Sequence, residues 1–216
     1  LLKIWRLLRR SDFFLSGGGT LLQDVTSTRS LRYYLFILWL AAHAGCRVML
    51  YGCGIGPIRG KRNRKLTAHI LDRCVGVITV RDGYSADLLE ELGVTVPRIH
   101  VTADPALLSQ PLPADAARSY LLRCGLEKGR HYVMLALRTW EGFEERIPAF
   151  AAAAEYACRE YGLIPLFCLM EEKSDAPAAH AVAKRLRCPY LTVQAGNSGG
   201  EILALVHRMS LVISMR

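Results

Sequence analysis

The sequence lacks the cysteine spacing of a metal-binding or redox module. Its seven cysteines, at positions 46, 53, 74, 124, 158, 168 and 188, form no Cys-x-x-Cys pair. An odd number of widely spaced cysteines is typical of free thiols in a reducing compartment. No group of His, Cys and Asp has the spacing of metal ligands either. We therefore expect a cytoplasmic protein without disulfides, a metal ion or another cofactor.

A long hydrophobic segment is also missing. The most apolar run, residues 33–42, has only ten residues between Arg32 and His43. Ten residues are too few to cross a bilayer, so this run predicts a buried helix. No secretory leader is recognisable, but the chain begins with Leu1 rather than Met and stops at Arg216 directly after an apolar run. We expect both ends to be cut and the chain to be a fragment.

Nucleotide and nucleic-acid motifs are absent as well. The glycine-rich segments match neither the dinucleotide pattern Gly-x-Gly-x-x-Gly nor a Walker A loop. The net charge of +9, from 28 basic and 19 acidic residues, fits nucleic acid, an anionic membrane or small anionic substrates. The basic clusters at residues 3–10 and 59–65 contain no motif that reads RNA or DNA. We therefore expect no nucleic-acid partner.

Strand-like and helix-like segments alternate along the chain. Short apolar runs predict strands buried on both faces at residues 13–16, 48–51, 75–80, 99–102, 132–137, 164–170, 190–193 and 211–214. Between them, helical periodicity marks residues 1–10, 31–44, 62–72, 85–92, 114–123, 145–161, 176–187 and 200–209. This alternation predicts an α/β fold with parallel sheets and right-handed crossovers.

A Pro-rich stretch divides the series. Residues 105–113 predict a linker between a first domain at 1–104 and a second at 114–216. Two such domains would face each other across a cleft, and ligands of parallel sheets bind beyond the carboxyl ends of the strands. The residues that follow each strand are therefore the candidates for function.

Two glycine-rich loops follow the first two strands. Gly17, Gly18 and Gly19 precede Asp24, and the second loop contains Gly54 and Gly56. Backbone N–H groups in such loops can approach an anion without an intervening Cβ. A flexible turn is the alternative for the first loop, and a structural turn is the alternative for the second.

Basic side chains follow several other strands. Arg81 and Arg138 each come directly after a strand, and Lys173 follows the strand at 164–170. An Arg fork at such a position can hold a carboxylate or phosphate in a bidentate manner. Asp82 can instead cap the next helix, and Asp104 either positions a ligand hydroxyl or ties the linker. The repeated placement predicts a site for a multiply anionic small molecule.

The first helix carries Lys3, Arg6 and Arg10 on one face. This face is either solvated or, with help from Trp5, contacts lipid headgroups or a diphosphate. Peripheral contact with the cytoplasmic face of the membrane is therefore an open expectation.

An ordered set of motifs resembles a known family. Five motifs occur in this order: SGGG, LLQD, YGCGIGPI, TVRD and TADPA. In these motifs the chain resembles the polysaccharide pyruvyl transferases of the CsaB type. The resemblance extends over about the whole chain and is strongest in its first half. It implies a GT-B-like fold, with two Rossmann-like domains facing across a cleft.

The resemblance also implies a reaction. Phosphoenolpyruvate would donate its pyruvyl group as a ketal across two hydroxyls of a sugar, with release of phosphate. The acceptor sugar would be N-acetylmannosamine on a lipid-linked precursor of a secondary cell-wall polymer, and the ketal would anchor surface-layer proteins. Ketal formation requires a general acid/base. In the family this histidine follows an Arg-Leu pair, so the resemblance places it beyond Arg216 and implies that this fragment is inactive.

Several residues take their expected roles from the resemblance. Arg216 matches the Arg of that motif and is expected to bind the donor, as is Arg81. Lys173, Arg6 and Arg10 are expected on the acceptor side, near the sugar and its lipid diphosphate. Cys53 stands where the family has Gln, and a thiol cannot replace the two-way hydrogen bonding of an amide.

Two other functions remain open at this point. A nucleotide-sugar glycosyltransferase of GT-B fold would share the architecture, but the second half has no Glu-rich ribose-binding motif. A basic module that binds nucleic acid or membrane would explain the charge. It would not explain two glycine-rich loops at successive strand ends.

Overall fold

Eight parallel strands and eight α-helices alternate in the computed structural model, which describes residues 2–215. The chain divides into two units, Leu1–Leu108 and Ser109–Arg216. The predicted linker 105–113 spans this division. Each unit contains one four-stranded parallel sheet, so the predicted α/β fold with parallel sheets is confirmed. The domain bounds and the cleft stay predictions.

The first unit pairs its strands in the order of the sequence, β1-β2-β3-β4. Its strands are β1 (Phe13–Gly17), β2 (Arg47–Cys53), β3 (Val77–Val80) and β4 (Arg98–Val101). Its helices are α1 (Leu2–Leu8), α2 (Thr28–His43), α3 (Lys61–Cys74) and α4 (Gly83–Glu91), and a short 3-10 helix follows at Pro105–Leu108. All strands and helices predicted for this half are present.

The helices of this unit cover only one face of its sheet. Because each right-handed crossover leads to the next strand along, α2, α3 and α4 lie on the same face. Leu31, Leu35 and Leu38 of α2 are buried in the single core cluster there. On the opposite face Phe13 and Leu15 are 59% and 61% exposed within the described chain. The prediction that these strands are buried on both faces is therefore wrong for this sheet.

The second unit builds its sheet in both directions from the first strand, in the order β7-β6-β5-β8. Its strands are β5 (His131–Ala136), β6 (Leu163–Leu169), β7 (Leu191–Gln194) and β8 (Leu211–Ser214). Its helices are α5 (Ala114–Arg123), α6 (Phe143–Tyr161), α7 (Glu172–Ala183) and α8 (Gly199–Arg208).

This reversal of direction places helices on both faces of the second sheet. Val133 and Leu135 belong to one core cluster with residues of α6 and α7. Tyr132 and Met134 belong to another with residues of α5 and α8. Burial on both faces, as predicted, is confirmed for β5, and each large apolar side chain buried here contributes about 1.5–3 kcal/mol.

Helix α2 is less buried than its apolar sequence predicts. Its inner side packs on the sheet, but Tyr33, Phe36 and Trp39 are 56%, 41% and 39% exposed. The prediction of a buried helix is therefore only half right, because α2 has a sheet on one side only. Within residues 2–215, no helix combines the length and apolar character that a membrane span requires.

A buried carboxylate closes the turn between β6 and α7. Asp175 is fully buried, and its Oδ2 accepts hydrogen bonds from the backbone N–H groups of Met170 and Glu171, both at 2.9 Å. The carboxylate thereby accepts from two backbone N–H groups at the end of β6, where the strand no longer supplies acceptors for them. No motif or spacing in the sequence distinguishes Asp175 from the other acidic residues.

We predict that Asp175→Ala lowers the free energy of unfolding by about 1–3 kcal/mol, because two backbone donors lose their acceptor. Asp115→Ala, an exposed carboxylate of α5, is the matched control and is expected to change it by less than about 0.5 kcal/mol. Urea unfolding of both variants measures the difference. Equal effects of the two substitutions would mean that other contacts hold the turn.

Candidate functional site

The four strand ends of the first sheet are joined by one group of residues at its carboxyl edge. This group, which we call the Arg81 cluster, consists of Thr20, Gly54, Arg81 and Asp104. Arg81 Nη1 donates to Asp104 Oδ2 at 2.7 Å, and Nη2 donates to Thr20 Oγ1 at 3.1 Å. Each member follows a different strand, so the contacts connect loops that lie far apart in sequence.

The charge of Arg81 is compensated inside the protein. Asp104 is its ion-pair partner, and Asp82 Oδ2 lies 3.9 Å from its Nε. Two groups hold the pKa of Asp104 below its ordinary value. The larger effect comes from the backbone N–H of Ala106, and the next from the guanidinium of Arg81. Two of the five N–H groups of the guanidinium are used, and the side chain is 30% exposed. An anion can therefore reach only the remaining donors, and the donor-binding role stays a prediction.

Gly54 makes room for this cluster. A Cβ at this position would lie 2.6 Å from Thr20 Oγ1 and 3.3 Å from Arg81 Nε. The backbone N–H of Gly54 also donates to the carbonyl of Gly19 at 3.0 Å, which ties the two glycine-rich loops together. A Cβ at Gly56 would overlap Leu88 of α4. Packing therefore explains both glycines of the second loop.

The first glycine loop is open by comparison. Gly17, Gly18 and Gly19 are exposed, and Gly18 and Gly19 have positive φ of 79° and 69°. A Cβ on either of the last two would meet nothing within 4 Å. No described residue accepts a hydrogen bond from their backbone N–H groups. Backbone conformation requires glycine at Gly18 and Gly19, whose N–H groups are available to an anion, whereas a Cβ at Gly17 would overlap the carbonyl oxygen of Tyr51.

Asp24 has a structural position. Its carboxylate accepts from the backbone N–H groups of Arg59 and Gly60 at 2.8 and 3.0 Å and from Asn63 Nδ2 at 2.8 Å. Burial alone would raise the pKa of Asp24, but these donors bring the pKa below its ordinary value. Asp24 thereby ties the loop after β1 to the start of α3. Its role in a ligand-binding loop stays a prediction.

Ser85, which lies outside the predicted set, organises the second loop together with Asp82. Ser85, which is almost fully buried, accepts a hydrogen bond from the N–H of Ile55 at 2.8 Å. Asp82 Oδ1 in turn accepts from the N–H of Ser85 at 2.8 Å and caps α4. The helix-capping alternative for Asp82 is therefore confirmed. The only sequence signal for Ser85 was its position three residues after the cap.

Cys53 faces the core rather than the site edge. It is buried, and its Sγ donates weakly to the carbonyl of Thr79 at 3.8 Å. Burial raises the pKa of the thiol to about 11, which makes it a poor nucleophile. All seven cysteines are free, as predicted. No three His, Cys, Asp or Glu side chains within residues 2–215 are grouped as metal ligands.

The other predicted residues do not belong to the Arg81 cluster and lie on other parts of the chain. Arg138 is exposed after β5, and Lys173 is exposed in the first turn of α7, after the neighbouring strand β6. Both therefore belong to the carboxyl edge of the second sheet. Arg6 is exposed on α1, and Arg10 follows the end of that helix. Arg216 lies outside the described residues.

The comparisons with known proteins agree with the motif pattern. The sequence model of the family described as polysaccharide pyruvyl transferase matches residues 1–216, which is the whole chain. The search of curated proteins returned no match.

We predict that Asp24→Asn lowers the free energy of unfolding at pH 7 by about 1–3 kcal/mol, because an amide has one acceptor oxygen and its NH2 group cannot accept from the donors that face the other carboxylate oxygen. The pKa of Asp24 is lowered in the folded state, so its contribution is complete above the unfolded pKa of about 3.9 and disappears as the pH falls through the folded pKa.

Urea unfolding at pH 7 and at a series of acidic pH values measures this difference. Asp87→Asn, on the exposed side of α4, is the control. A stability difference between Asp24→Asn and the unsubstituted chain that stays constant on acidification would show that the charge of Asp24 is unimportant.

Proposed function

Since the chain belongs to the polysaccharide pyruvyl transferase family, we propose that it transfers the pyruvyl group of phosphoenolpyruvate to a sugar as a ketal. The family match over residues 1–216 carries this proposal. The CsaB-type motifs support a specific acceptor, N-acetylmannosamine in a lipid-linked precursor of a secondary cell-wall polymer. The ketal on that polymer would then serve to anchor a surface layer.

The donor is proposed to bind at the carboxyl edge of the first sheet. Phosphoenolpyruvate carries a phosphate and a carboxylate, which need several N–H donors at fixed positions. The exposed N–H groups of Gly18 and Gly19 suit the phosphate, and the unused N–H groups of Arg81 suit the carboxylate. Asp104 and Thr20 would hold the guanidinium plane in place, so that its orientation is set before the donor arrives.

The remaining roles are part of the same proposal. Arg138 and Arg216 would add positive charge for the donor, and Lys173, Arg6 and Arg10 would contact the acceptor and its diphosphate. The enol carbon must be protonated before a sugar hydroxyl attacks the resulting oxocarbenium-like centre, so the reaction needs a general acid/base. We assign this role to the histidine that the family motif places beyond Arg216.

We predict that Arg81→Lys in the full-length enzyme lowers kcat/KM for phosphoenolpyruvate about 10- to 150-fold. We expect kcat/KM for the acceptor to fall much less. Lys keeps the charge and can still pair with Asp104, but it loses the planar fork that reaches Thr20 and a ligand together. Phosphate release, measured with a lipid-linked disaccharide as acceptor, gives both constants.

Arg98→Lys is the matched control, because Arg98 begins β4 and therefore lies at the opposite edge of the same sheet. We expect it to leave both constants within about twofold of the unsubstituted enzyme. A lower melting temperature with an unchanged kcat/KM for phosphoenolpyruvate would make Arg81 purely structural. The donor site would then have to be sought around Arg138 and Arg216.

A further inference from the structure

The positive charge of the chain is concentrated in its first 80 residues. This part holds 13 of the 28 basic residues but only three of the 19 acidic ones, so its net charge of +10 exceeds the +9 of the whole chain. The remaining 136 residues, with 15 basic and 16 acidic side chains, are close to neutral. A uniform requirement for solubility would not produce this asymmetry.

Most of these charges lie on three neighbouring helices. Helix α2 packs against both α1 and α3 on the covered side of the first sheet. Their exposed basic residues, with those of the turn that follows α1, are Lys3, Arg6, Arg9, Arg10, Arg29, Arg32, Lys61, Arg62, Lys65 and Arg73. Among the described residues, none of these ten has an ion-pair partner, whereas the half-buried Arg64 pairs with Glu91 at 3.3 Å.

Aromatic side chains interrupt this positive surface on α2. Tyr33, Phe36 and Trp39 follow helical spacing, as do Arg29 and Arg32 just before them. The rings of Phe36 and Trp39 stack at 5.9 Å between centroids, and both are exposed. On α1 the exposed Leu2 and Leu7 add aliphatic surface. Large apolar side chains that stay exposed together usually mark a binding surface.

We propose that this surface, formed by the exposed side chains of α1, α2 and α3 and called here the basic–aromatic face, binds an anionic phospholipid bilayer. Lys and Arg side chains are attracted to the negative surface of such a bilayer, and Tyr and Trp settle at the level of its headgroups. Leu2, Leu7 and Phe36 can insert at the boundary of the acyl chains. The chain would bind peripherally, through one side of its first unit.

Other partners fit this face less well. A second copy of the chain would bring two strongly positive surfaces together, which is unfavourable. A nucleic acid would neutralise the charge, but Leu2 and Leu7 would have no counterpart on its phosphates. A bilayer accepts both the cations and the aliphatic side chains.

This inference does not rest on the proposed transfer reaction, because binding to lipid is measured without any substrate. If both are correct, the basic–aromatic face holds the enzyme where a lipid-linked acceptor is found.

The test uses the 216-residue chain and two kinds of vesicle, one of phosphatidylcholine alone and one of phosphatidylcholine with phosphatidylglycerol. Sedimentation with vesicles measures binding, and a blue shift of tryptophan fluorescence that is lost in Phe36→Ser with Trp39→Ser reports insertion of Trp39 rather than of Trp5 or Trp140. We expect binding to the anionic vesicles that weakens with added salt, and little binding to phosphatidylcholine alone.

Two variants separate the charges from the rings. The charge variant combines Arg29→Glu with Arg32→Glu, and the aromatic variant combines Phe36→Ser with Trp39→Ser. Each variant should weaken binding to anionic vesicles at least about tenfold. Arg146→Glu with Arg185→Glu, exposed cations of the second unit, is the control for charge. Tyr156→Ser with Tyr161→Ser, an exposed ring pair with centroids 5.9 Å apart, is the control for the rings. The melting temperature of every variant checks that it is folded.

Several outcomes would overturn the proposal. Unchanged binding of both surface variants, or equal weakening by the control variants, would place the lipid contact elsewhere. Absence of binding to anionic vesicles would exclude it directly. A DNA oligonucleotide is the last comparison. If it displaces the chain fully from vesicles, and if Phe36→Ser with Trp39→Ser still binds it, the face is a general polyanion surface instead. If the aromatic variant fails to fold, the charge variant still decides.

Discussion

In the first unit each strand pairs with the next one in the sequence, and right-handed crossovers therefore keep α2, α3 and α4 on a single face of the sheet. This constraint has two consequences. All strands end at one edge, where their loops form the Arg81 cluster. Helices α2 and α3 lie side by side and α1 packs against α2, so the exposed side chains of these three helices form the basic–aromatic face. The candidate site and the proposed lipid contact thus follow from the same topology.

Arg81 holds the loops of the first sheet together, and the proposed donor site is built on these contacts. Its contacts to Asp104 and Thr20 connect the loops after β3, β4 and β1, while Gly54 leaves the space that the guanidinium needs. An Arg that is already paired attracts an anion less strongly. Its guanidinium is already oriented, however, so less conformational entropy is lost when an anion binds. The exposed N–H groups of Gly18 and Gly19 would then carry a larger share of donor recognition.

The second unit uses the same elements with a different strand order. Because its sheet grows in both directions from β5, helices cover both faces, and Tyr132 and Val133 face different core clusters. Asp175 closes the turn after β6 from a fully buried position. Lys173, two residues before this buried carboxylate, is exposed in the first turn of α7.

The sequence by itself determined the alternation of strands and helices, the parallel sheets and the family, because periodicity and ordered motifs are local properties of the chain. Capping by Asp82 was also foreseeable from its position before α4. Only the tertiary structure decided that Asp104 pairs with Arg81, that Asp24 holds the start of α3, and that Trp39 stays exposed. These outcomes depend on strand order and on contacts between distant residues, which an apolar run or a strand-end Arg does not encode.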